Sequence, residues 1–571
     1  MAQQNADIAA TYRELYRAKF RDDILNGTTK PFIVPLHFLG IWILPTLYLA
    51  IPHRNRPWVY QARWLVLACV VAFNTHMILN VSSHNFASAY GVGLTAAWGI
   101  VWNLTVLVWT KPQWEAKRVD IRRKKKQKNG KDDGDNELSA YSSSTKEQSL
   151  LSDSVQQRKS FQNEDSKKNA KEISPNIVPP LERNGNGIRV SSELKELADK
   201  QEFEYYWQEY PADAPFLTRL DWAFDIVSTF RMTGWNWSIP CIPPYAPPPK
   251  QGPYQLPLNT VGPHRTKQGY ERQLSYTHFF TTCFFTMIPS YLLLDLCAVH
   301  MTADPYFILG PEYNLPLPPH LSTLHPLTLS AQRTALSFLG IVSALQLVFN
   351  FGYLILVFLP PLPQILGFRA HPHLLPTPFG SFTRVLDRGL AGFWGDWWHQ
   401  TFRFGFAAPA NWLQRNGYVG TPGSTSARLT GALCAFVTSG FLHASGSYST
   451  VPTHTKWWLP PLFFVFAGVG TTLQSSLCRA PVVKPFIERM PRWVRRLGNL
   501  AFVLGWMWAT SWALIDDFGR CGLWLYEPVP VSVFRALGYG PTEDRRVWRY
   551  ERDFWPRWYW GKHWWDTGLG V

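Results

Sequence analysis

A histidine inside an apolar run is the first residue of this chain whose type and position point to chemistry. His443 lies in the segment SGFLHASG at 439–446, near the end of an 18-residue run without a charged residue. Ionising a group at the centre of a bilayer costs about 2.5–3.5 kcal/mol, so we expect a neutral imidazole, the form that a general base needs. Ser439 precedes it by one turn, and Gly440 and Gly446 let a ligand or a second helix approach. A histidine hydrogen-bonded between helices is the equally open alternative.

The segment FWGDWWHQTFR at 393–403 contains the second candidate site. Because 381–406 lacks proline and follows a plausible helix start, the sequence predicts one helix there. On that helix Asp396, His399 and Arg403 fall on one polar stripe.

Two tryptophans of the same segment, Trp394 and Trp398, line the stripe beside it. A helix of this kind would lie at a membrane face, with its tryptophans in the lipid and its polar edge towards protein. The alternative is an interfacial aromatic belt with a solvated histidine and aspartate. We take His443 and His399 as candidate catalytic residues, and as candidate substrate-binding residues we take Asp396, Trp394, Trp398, Ser439 and Arg403.

Other polar residues within apolar runs favour structural roles. Asp295 is an intramembrane acid and therefore a functional candidate by default, although a bond to a neighbouring helix is the simpler explanation. Gln346 and Asn350, four residues apart, are typical of a pair that locks helix packing.

Apolar runs of membrane-spanning length must position these residues. The chain has 571 residues, of which 17% are charged and 15% aromatic, with 28 tryptophans. Because a helix needs roughly 20 apolar residues to cross a bilayer, the composition predicts an all-α, multi-pass transmembrane helical bundle of about eight spans. The expected spans are 32–51, 64–81, 86–110, 278–300, 334–359, 429–446, 457–478 and 497–515.

Basic residues cluster beside two of these spans. The net charge is +16, and the stretches 111–131 and 479–496 contribute +8 and +5 of it. The distribution predicts that both stretches are cytosolic and contact anionic lipid, not nucleic acid. Eight spans would then place both termini in the lumen, which the basic residues near the N-terminus fit poorly.

Four regions follow from this pattern. We expect a charged, mostly disordered cytosolic insert, with residues about 120–200 unable to bury enough apolar surface to fold. The Pro-rich stretch 238–257 is expected to be an extended cytosolic strap. The regions are an N-terminal segment with three spans at 1–110, the insert at 111–215, a membrane core at 216–515 that contains both candidate segments, and a Trp-rich interfacial segment at 516–571.

Common enzyme signatures are missing from the sequence. It has no HExxH, GxSxG, P-loop or GxGxxG motif, so the usual hydrolase and nucleotide-binding classes are excluded. Seven cysteines without a CxxC pair exclude a disulfide framework or a zinc ribbon. We find no cluster with metal-ligand spacing, and we expect no metal and no bound cofactor.

Taken together, 393–403 and the segment FVTSGFLHASG at 436–446 resemble the membrane-bound O-acyltransferase superfamily, and more closely its fungal wax-synthase-like branch. The segment FRMTGWNW at 230–237 resembles that branch as well. The resemblance covers about 220–515. Asp396 and Trp397 depart from the branch and are closer to the FYxDWWN pattern of sterol and diacylglycerol acyltransferases.

The resemblance implies a helical bundle around an intramembrane chamber, with 216–515 as a wax-synthase-like acyltransferase core. Such an enzyme would move an acyl group from acyl-CoA or acetyl-CoA to the hydroxyl of a lipophilic alcohol, in the endoplasmic reticulum membrane. His443 matches the family's catalytic histidine, and His399 matches its second polar position. Arg403 and the basic stretches on the cytosolic side would attract the phosphates of CoA. The chain length of the acyl donor and the oligomeric state stay open. The acceptor also stays open among a fatty alcohol, a sterol and a secondary-metabolite alcohol. The alternatives are a multi-pass transporter and a non-catalytic membrane scaffold.

Overall fold

The computed structural model describes residues 2–123, 203–248, 264–273, 275–358, 371–540, 544–550 and 554–570. Residues 124–202, which hold most of the insert expected to be disordered, lie outside the described residues, as does the second half of the Pro-rich stretch. In the N-terminal part the helices are α1 (Ala2–Leu25), α2 (Leu44–Leu49), α3 (Pro57–Gln61), α4 (Arg63–Asn80), α5 (Phe86–Leu104), α6 (Pro112–Glu115), α7 (Phe216–Ser228), α8 (Tyr276–Met301), α9 (Pro305–Leu309), α10 (Pro319–Ser322) and α11 (Pro326–Phe358).

The C-terminal part is equally helical. It contains α12 (Thr383–Gly392), α13 (Arg403–Arg415), α14 (Thr425–Tyr448), α15 (Leu459–Arg479), α16 (Val483–Arg489), α17 (Arg492–Thr510), α18 (Trp512–Arg520) and α19 (Val533–Ala536). The strands are short: β1 (Lys30–Pro31), β2 (Ile33–Val34), β3 (Val81–Ser82), β4 (Arg118–Arg123), β5 (Phe203–Gln208), β6 (Arg557–Tyr559) and β7 (Gly568–Gly570). The prediction of an all-α membrane protein is confirmed.

Among the described residues, six helices are long and apolar enough to cross a membrane, and a bent pair makes a seventh. These spans are Pro57–Asn80, Phe86–Trp109, Tyr276–Met301, Pro326–Phe358, Thr425–Tyr448 and Leu459–Arg479. The bent pair is α17 and α18, whose axes differ by 44°. Seven of the eight expected spans therefore correspond to long apolar helices or to the bent pair.

The first expected span, 32–51, is not a continuous long helix. Two short strands precede a 3-10 turn, a π-helical turn and α2, and the helical part covers only Leu36–Leu49. This segment nevertheless runs from one end of α5 to the other. Phe32 bonds to the carbonyl of Ser82 before α5 begins, whereas the side chain of Gln113, beyond the end of α5, donates to the carbonyl of Leu49 at 2.8 Å. The segment thus spans the same thickness with a less regular backbone.

Helix α14, which carries His443, lies against α5 on one side and α15 on the other. Small residues allow both approaches. A Cβ at Gly93 of α5 would lie 1.9 Å from the carbonyl oxygen of Ser445, and one at Gly440 would lie 2.9 Å from the Cα of Pro461. Of the two approaches expected at Gly440, a ligand or a second helix, the structure shows the helix, since close packing in membranes favours small residues.

Both ends of the described chain meet on one side of the bundle. Arg13 of α1 forms an ion pair of 2.7 Å with Glu527, and β2 pairs with β7 in a three-stranded sheet. Asp295 of α8 accepts hydrogen bonds from the hydroxyl of Ser532 at 2.6 Å and from the backbone N–H of Phe534. The intramembrane acid thus fastens the C-terminal segment, which agrees with a structural role.

The two described ends of the insert are held together. Strands β4 and β5 pair antiparallel, with Arg118 opposite Gln208 and Arg123 opposite Phe203. Arg118 is buried and bonds to Asp221 at 2.7 Å and to Asp225 at 3.2 Å on α7. The insert therefore leaves and rejoins the bundle at one place.

Candidate active site

His443 lies on α14 with its ring between aromatic side chains of two other helices. The hydroxyl of Tyr90 on α5 is 3.0 Å from Nδ1 of His443 and donates a hydrogen bond of 3.1 Å to its carbonyl oxygen. The ring of Phe464 on α15 stacks on the imidazole at a centroid distance of 4.9 Å. The imidazole is thus held by one polar and one apolar contact from neighbouring helices.

The contact with Tyr90 also selects a tautomer. A tyrosine hydroxyl has one proton, and here the carbonyl oxygen of His443 accepts it. When the hydroxyl proton points to this carbonyl oxygen, Nδ1 carries the imidazole proton and donates a hydrogen bond to the hydroxyl oxygen, which leaves the lone pair of Nε2 free. Such an orientation is what a base acting through Nε2 requires.

A close helix crossing brings Tyr90 to this position. A Cβ at Gly446 would lie 2.6 Å from the ring of Tyr90, too close for any side chain. The space beside Gly446 is therefore filled by a protein side chain, whereas the sequence alone did not decide between a ligand and a helix there.

The prediction of one helix through 393–403 is wrong. Helix α12 contains Gly389 at φ +59°, continues as a π-helical turn over Phe393–Trp397, and ends at Trp398 with ψ 149°. Helix α13 starts only at Arg403. The side-chain amide of Gln400 donates to the carbonyls of Trp394 and Trp398 and so satisfies the backbone at the break.

Because of this break, Asp396 and His399 do not share a polar stripe. Asp396 is buried and accepts hydrogen bonds from Arg384 at 3.1 Å and from Arg388 at 2.6 Å, which lie 12 and 8 residues earlier on α12. Arg403 donates to the carbonyl of Gly395 and to the side chain of Gln400. Both residues bind the polypeptide itself, and substrate contacts by either stay a prediction.

The two tryptophans are half-buried and pack against aromatic side chains of the protein. The ring of Trp394 contacts Phe436, Phe463 and Phe464, the last of which also stacks on His443. Trp398 contacts His399 at a centroid distance of 5.3 Å. An aromatic path therefore joins the two segments that carry the histidines.

His399 occupies the non-helical turn, with an aromatic cage around its ring. The cage residues are Phe349, Phe379, Trp398 and Phe402, with centroid distances between 5.3 and 6.0 Å. Burial, with nearby His443 and Arg231, lowers the pKa of His399 from 6.5 to about 3. Its Nδ1 is buried without a hydrogen-bond partner among the described residues. The structure thus brings the two predicted histidines into one neighbourhood, with His399 neutral.

Two further residues of this neighbourhood were not predicted as site residues. Arg231, within the FRMTGWNW segment, donates to the carbonyls of Pro376 and Thr377 and to the hydroxyl of Tyr353. Its only sequence signal was a charge in an aromatic segment. Tyr90 gave no signal, since a tyrosine in an apolar run is common. Ser439 stays one turn before His443 on α14, as expected.

A cavity of about 170 Å³ lies beside this neighbourhood. Phe379, whose ring contacts His399, lines this cavity together with Trp397, Gln346, Asn350 and Tyr353. The side-chain amide of Asn350 donates to the carbonyl of Gln346 at 2.7 Å, so the pair both stiffens α11 and lines the cavity.

The fold and the site define a class: a polytopic, all-helical membrane protein with two histidines enclosed by aromatic side chains. Residues 375–466, which contain both histidines, match the Membrane bound O-acyl transferase family. Over this part of its length the chain is similar to that family.

Several fungal proteins are similar over parts of the chain. O-Mevalon transferase yanI of Aspergillus niger is 28% identical over 246 residues, which are 41% of this chain and 47% of that protein. Acetyltransferase pyr8 of Aspergillus fumigatus is 31% identical over 28% of this chain and 37% of its own length. Acetyltransferase ple2 of Rhodocybe pseudopiperita is 24% identical over 60% and 79%. The chain thus spans less than half the length of the first two relatives. No solved structure matches it.

Proposed function

We propose that the protein is an acyl-CoA-dependent O-acyltransferase that esterifies the hydroxyl of a lipophilic alcohol, with His443 as general base. The observation that carries the proposal is the hydrogen-bond arrangement of Tyr90 and His443, which leaves Nε2 free inside a region matching an acyltransferase family. Membrane-length helices on both sides of the histidine suit a lipid-soluble acceptor.

The reaction follows from that geometry. Nε2 of His443 takes the proton of the acceptor hydroxyl while its oxygen attacks the thioester carbonyl, and a new C–O bond forms. The C–S bond then breaks, and the CoA thiolate takes the proton back from the imidazolium. General-base catalysis of this kind contributes roughly 10²–10⁴ in rate. No covalent acyl-enzyme is needed, and no cofactor takes part.

His399 acts as the second polar group of the site. Since its Nδ1 has no hydrogen-bond partner among the described residues, one ring nitrogen is available to orient the acceptor or to polarise the thioester carbonyl. A neutral ring serves this purpose without placing a second positive charge beside the imidazolium that forms at His443.

Acetyl-CoA is the donor to test first. Three of the similar proteins carry the name acetyltransferase. A cavity of about 170 Å³ is also smaller than the roughly 300–1,000 Å³ of sites for drug-sized ligands, which favours a small acyl group. We place the enzyme in the endoplasmic reticulum and in the wax-synthase-like branch on the resemblance of its motifs.

The test is ester formation by microsomes that contain the wild type, His443→Ala or the exposed control His454→Ala at matched expression. Each sample receives radiolabelled acetyl-CoA or palmitoyl-CoA with a pooled panel of lipophilic alcohols. We expect ester from the wild type and the control, and a loss of roughly a hundredfold or more in His443→Ala. Equal ester formation by all three would remove His443 from the mechanism. Flux of a substrate without CoA, unchanged in His443→Ala, would instead support transport.

A further inference from the structure

Outside the histidine neighbourhood, three side chains with metal-ligating atoms converge where the Pro-rich stretch meets α8. They are His264, Glu271 and His278, and one ligand atom of each lies within 4.8 Å of the others. Nε2 of His264 is 2.6 Å and Nε2 of His278 is 3.6 Å from the same oxygen, Oε1 of Glu271. All three side chains are about one-quarter to one-third exposed, so an ion can reach them.

The backbone fixes two of these ligands before any ion binds. Residues 264–272 form a tight antiparallel hairpin, in which the N–H of Arg272 donates to the carbonyl of His264 at 2.9 Å. The turn is made at Gly269, with φ +90°. His278 follows in the first turn of α8, whose N-cap is the side chain of Ser275. The donor set therefore lies on a hairpin and a helix end, which are rigid supports.

We infer that His264, Glu271 and His278 bind one Zn²⁺ ion. A tetrahedral ion with bonds of roughly 2.0–2.1 Å holds neighbouring ligand atoms roughly 3.3 Å apart, and the two separations from Glu271 lie on either side of that value. Two imidazoles with one carboxylate is a donor set that zinc proteins use, with the fourth position left to water. The chain-only alternative is an ion pair in which both histidines share one carboxylate oxygen.

An ion here would brace the candidate active site from its outer side. The hydroxyl of Tyr270, on the hairpin, donates to the carbonyl of Trp398, the residue before His399, at 2.9 Å. The backbone N–H of Ser381 also donates to the carbonyl of Gln268 at 2.8 Å. The zinc would join this hairpin to α8 and so hold the turn that carries His399. No sequence motif indicated the site, because six residues separate each ligand from the next.

The test measures metal in the full-length protein, purified in detergent without a histidine tag and without chelators. Elemental analysis by mass spectrometry compares the wild type, the double variant His264→Ala/His278→Ala and the control His320→Ala, an exposed histidine remote in sequence. We expect about one zinc per chain in the wild type and the control, and at least a tenfold loss in the double variant.

A second variant keeps the test decisive if the double variant does not fold. Glu271→Gln retains the size of the side chain, and we expect zinc to bind its chelator-stripped form at least tenfold more weakly than the stripped wild type in a competition titration. Zinc below one-tenth per chain in the wild type, together with no binding on titration, would overturn the inference. Equal zinc affinity in the wild type and Glu271→Gln would do the same.

Discussion

Replacing Tyr90 with phenylalanine is the sharpest test of how the site works. The change deletes one oxygen, which lies 3.0 Å from Nδ1 of His443 and 3.1 Å from its carbonyl oxygen. The ring itself stays, along with its edge contact to Phe518. Nδ1–H then loses its acceptor, and the tautomer with Nε2 free for catalysis loses its preference over the other.

The magnitude follows from the cost of an unpaired buried donor. Leaving one unsatisfied costs about 1–3 kcal/mol, and each 1.36 kcal/mol changes a rate about tenfold. If the base-competent tautomer bears this cost, kcat falls about 5- to 150-fold. The loss should be smaller than that of His443→Ala, in which the base itself is missing.

The assay is ester formation against acyl-CoA concentration, with kcat and KM determined separately. Because Tyr90 acts on the base and not on the donor, we expect kcat to fall while KM for acyl-CoA stays unchanged. Tyr48→Phe is the matched control, since it also removes a buried hydroxyl that donates to two carbonyls, those of Val59 and Tyr60. Activity of Tyr90→Phe within twofold of the wild type would refute the tautomer argument, and so would an equal loss in Tyr48→Phe.

Two further substitutions test the segment around 393–403. Asp396→Asn leaves Arg384 and Arg388 without their shared carboxylate, so we expect about 2 kcal/mol of destabilisation, seen as a lower melting temperature, with KM unchanged; a higher KM with unchanged melting would show substrate binding instead. Burial lowers the pKa of His399 to about 3, so the unfolded chain binds a proton that the folded protein does not as the pH falls below 6.5. This costs the folded state about 1 kcal/mol at pH 5.5. His399→Asn should therefore melt with less acid sensitivity between pH 7.5 and 5.5, and equal acid sensitivity of variant and wild type would contradict the burial argument.

The helices of the membrane region were predictable because their cause is local. A bilayer demands about 20 apolar residues from each helix, and runs such as 278–300 or 457–478 satisfy that demand whatever surrounds them. The segment 32–51 satisfied it too, yet its backbone is irregular, because strand pairing at its start and a π-helical turn replace regular helix. Composition determines that a segment crosses the membrane, and packing determines the backbone conformation in which it crosses.

The sequence suggested candidate site residues but not their arrangement. The motifs at 393–403 and 436–446 predicted His399 and His443 as candidates without any coordinates, because a histidine in an apolar or aromatic segment is costly. The break after Trp397 was not predicted, since the residues of this segment are compatible with a continuous helix. Side-chain hydrogen bonds from Gln400 and Arg403 stabilise the break, and these bonds cannot be predicted from the spacing of apolar residues.

The sequence by itself therefore predicted the membrane class, the resemblance to an acyltransferase family and the two candidate histidines. Only the tertiary structure decided what surrounds them. Tyr90 and His443 are 353 residues apart, and their contact depends on the crossing of two helices at Gly93 and Gly446. The hairpin that presents Glu271 to two histidines is likewise an outcome of folding. Spacing along a chain governs contacts within one helix, whereas contacts between helices depend on which surfaces fit closely enough to pack.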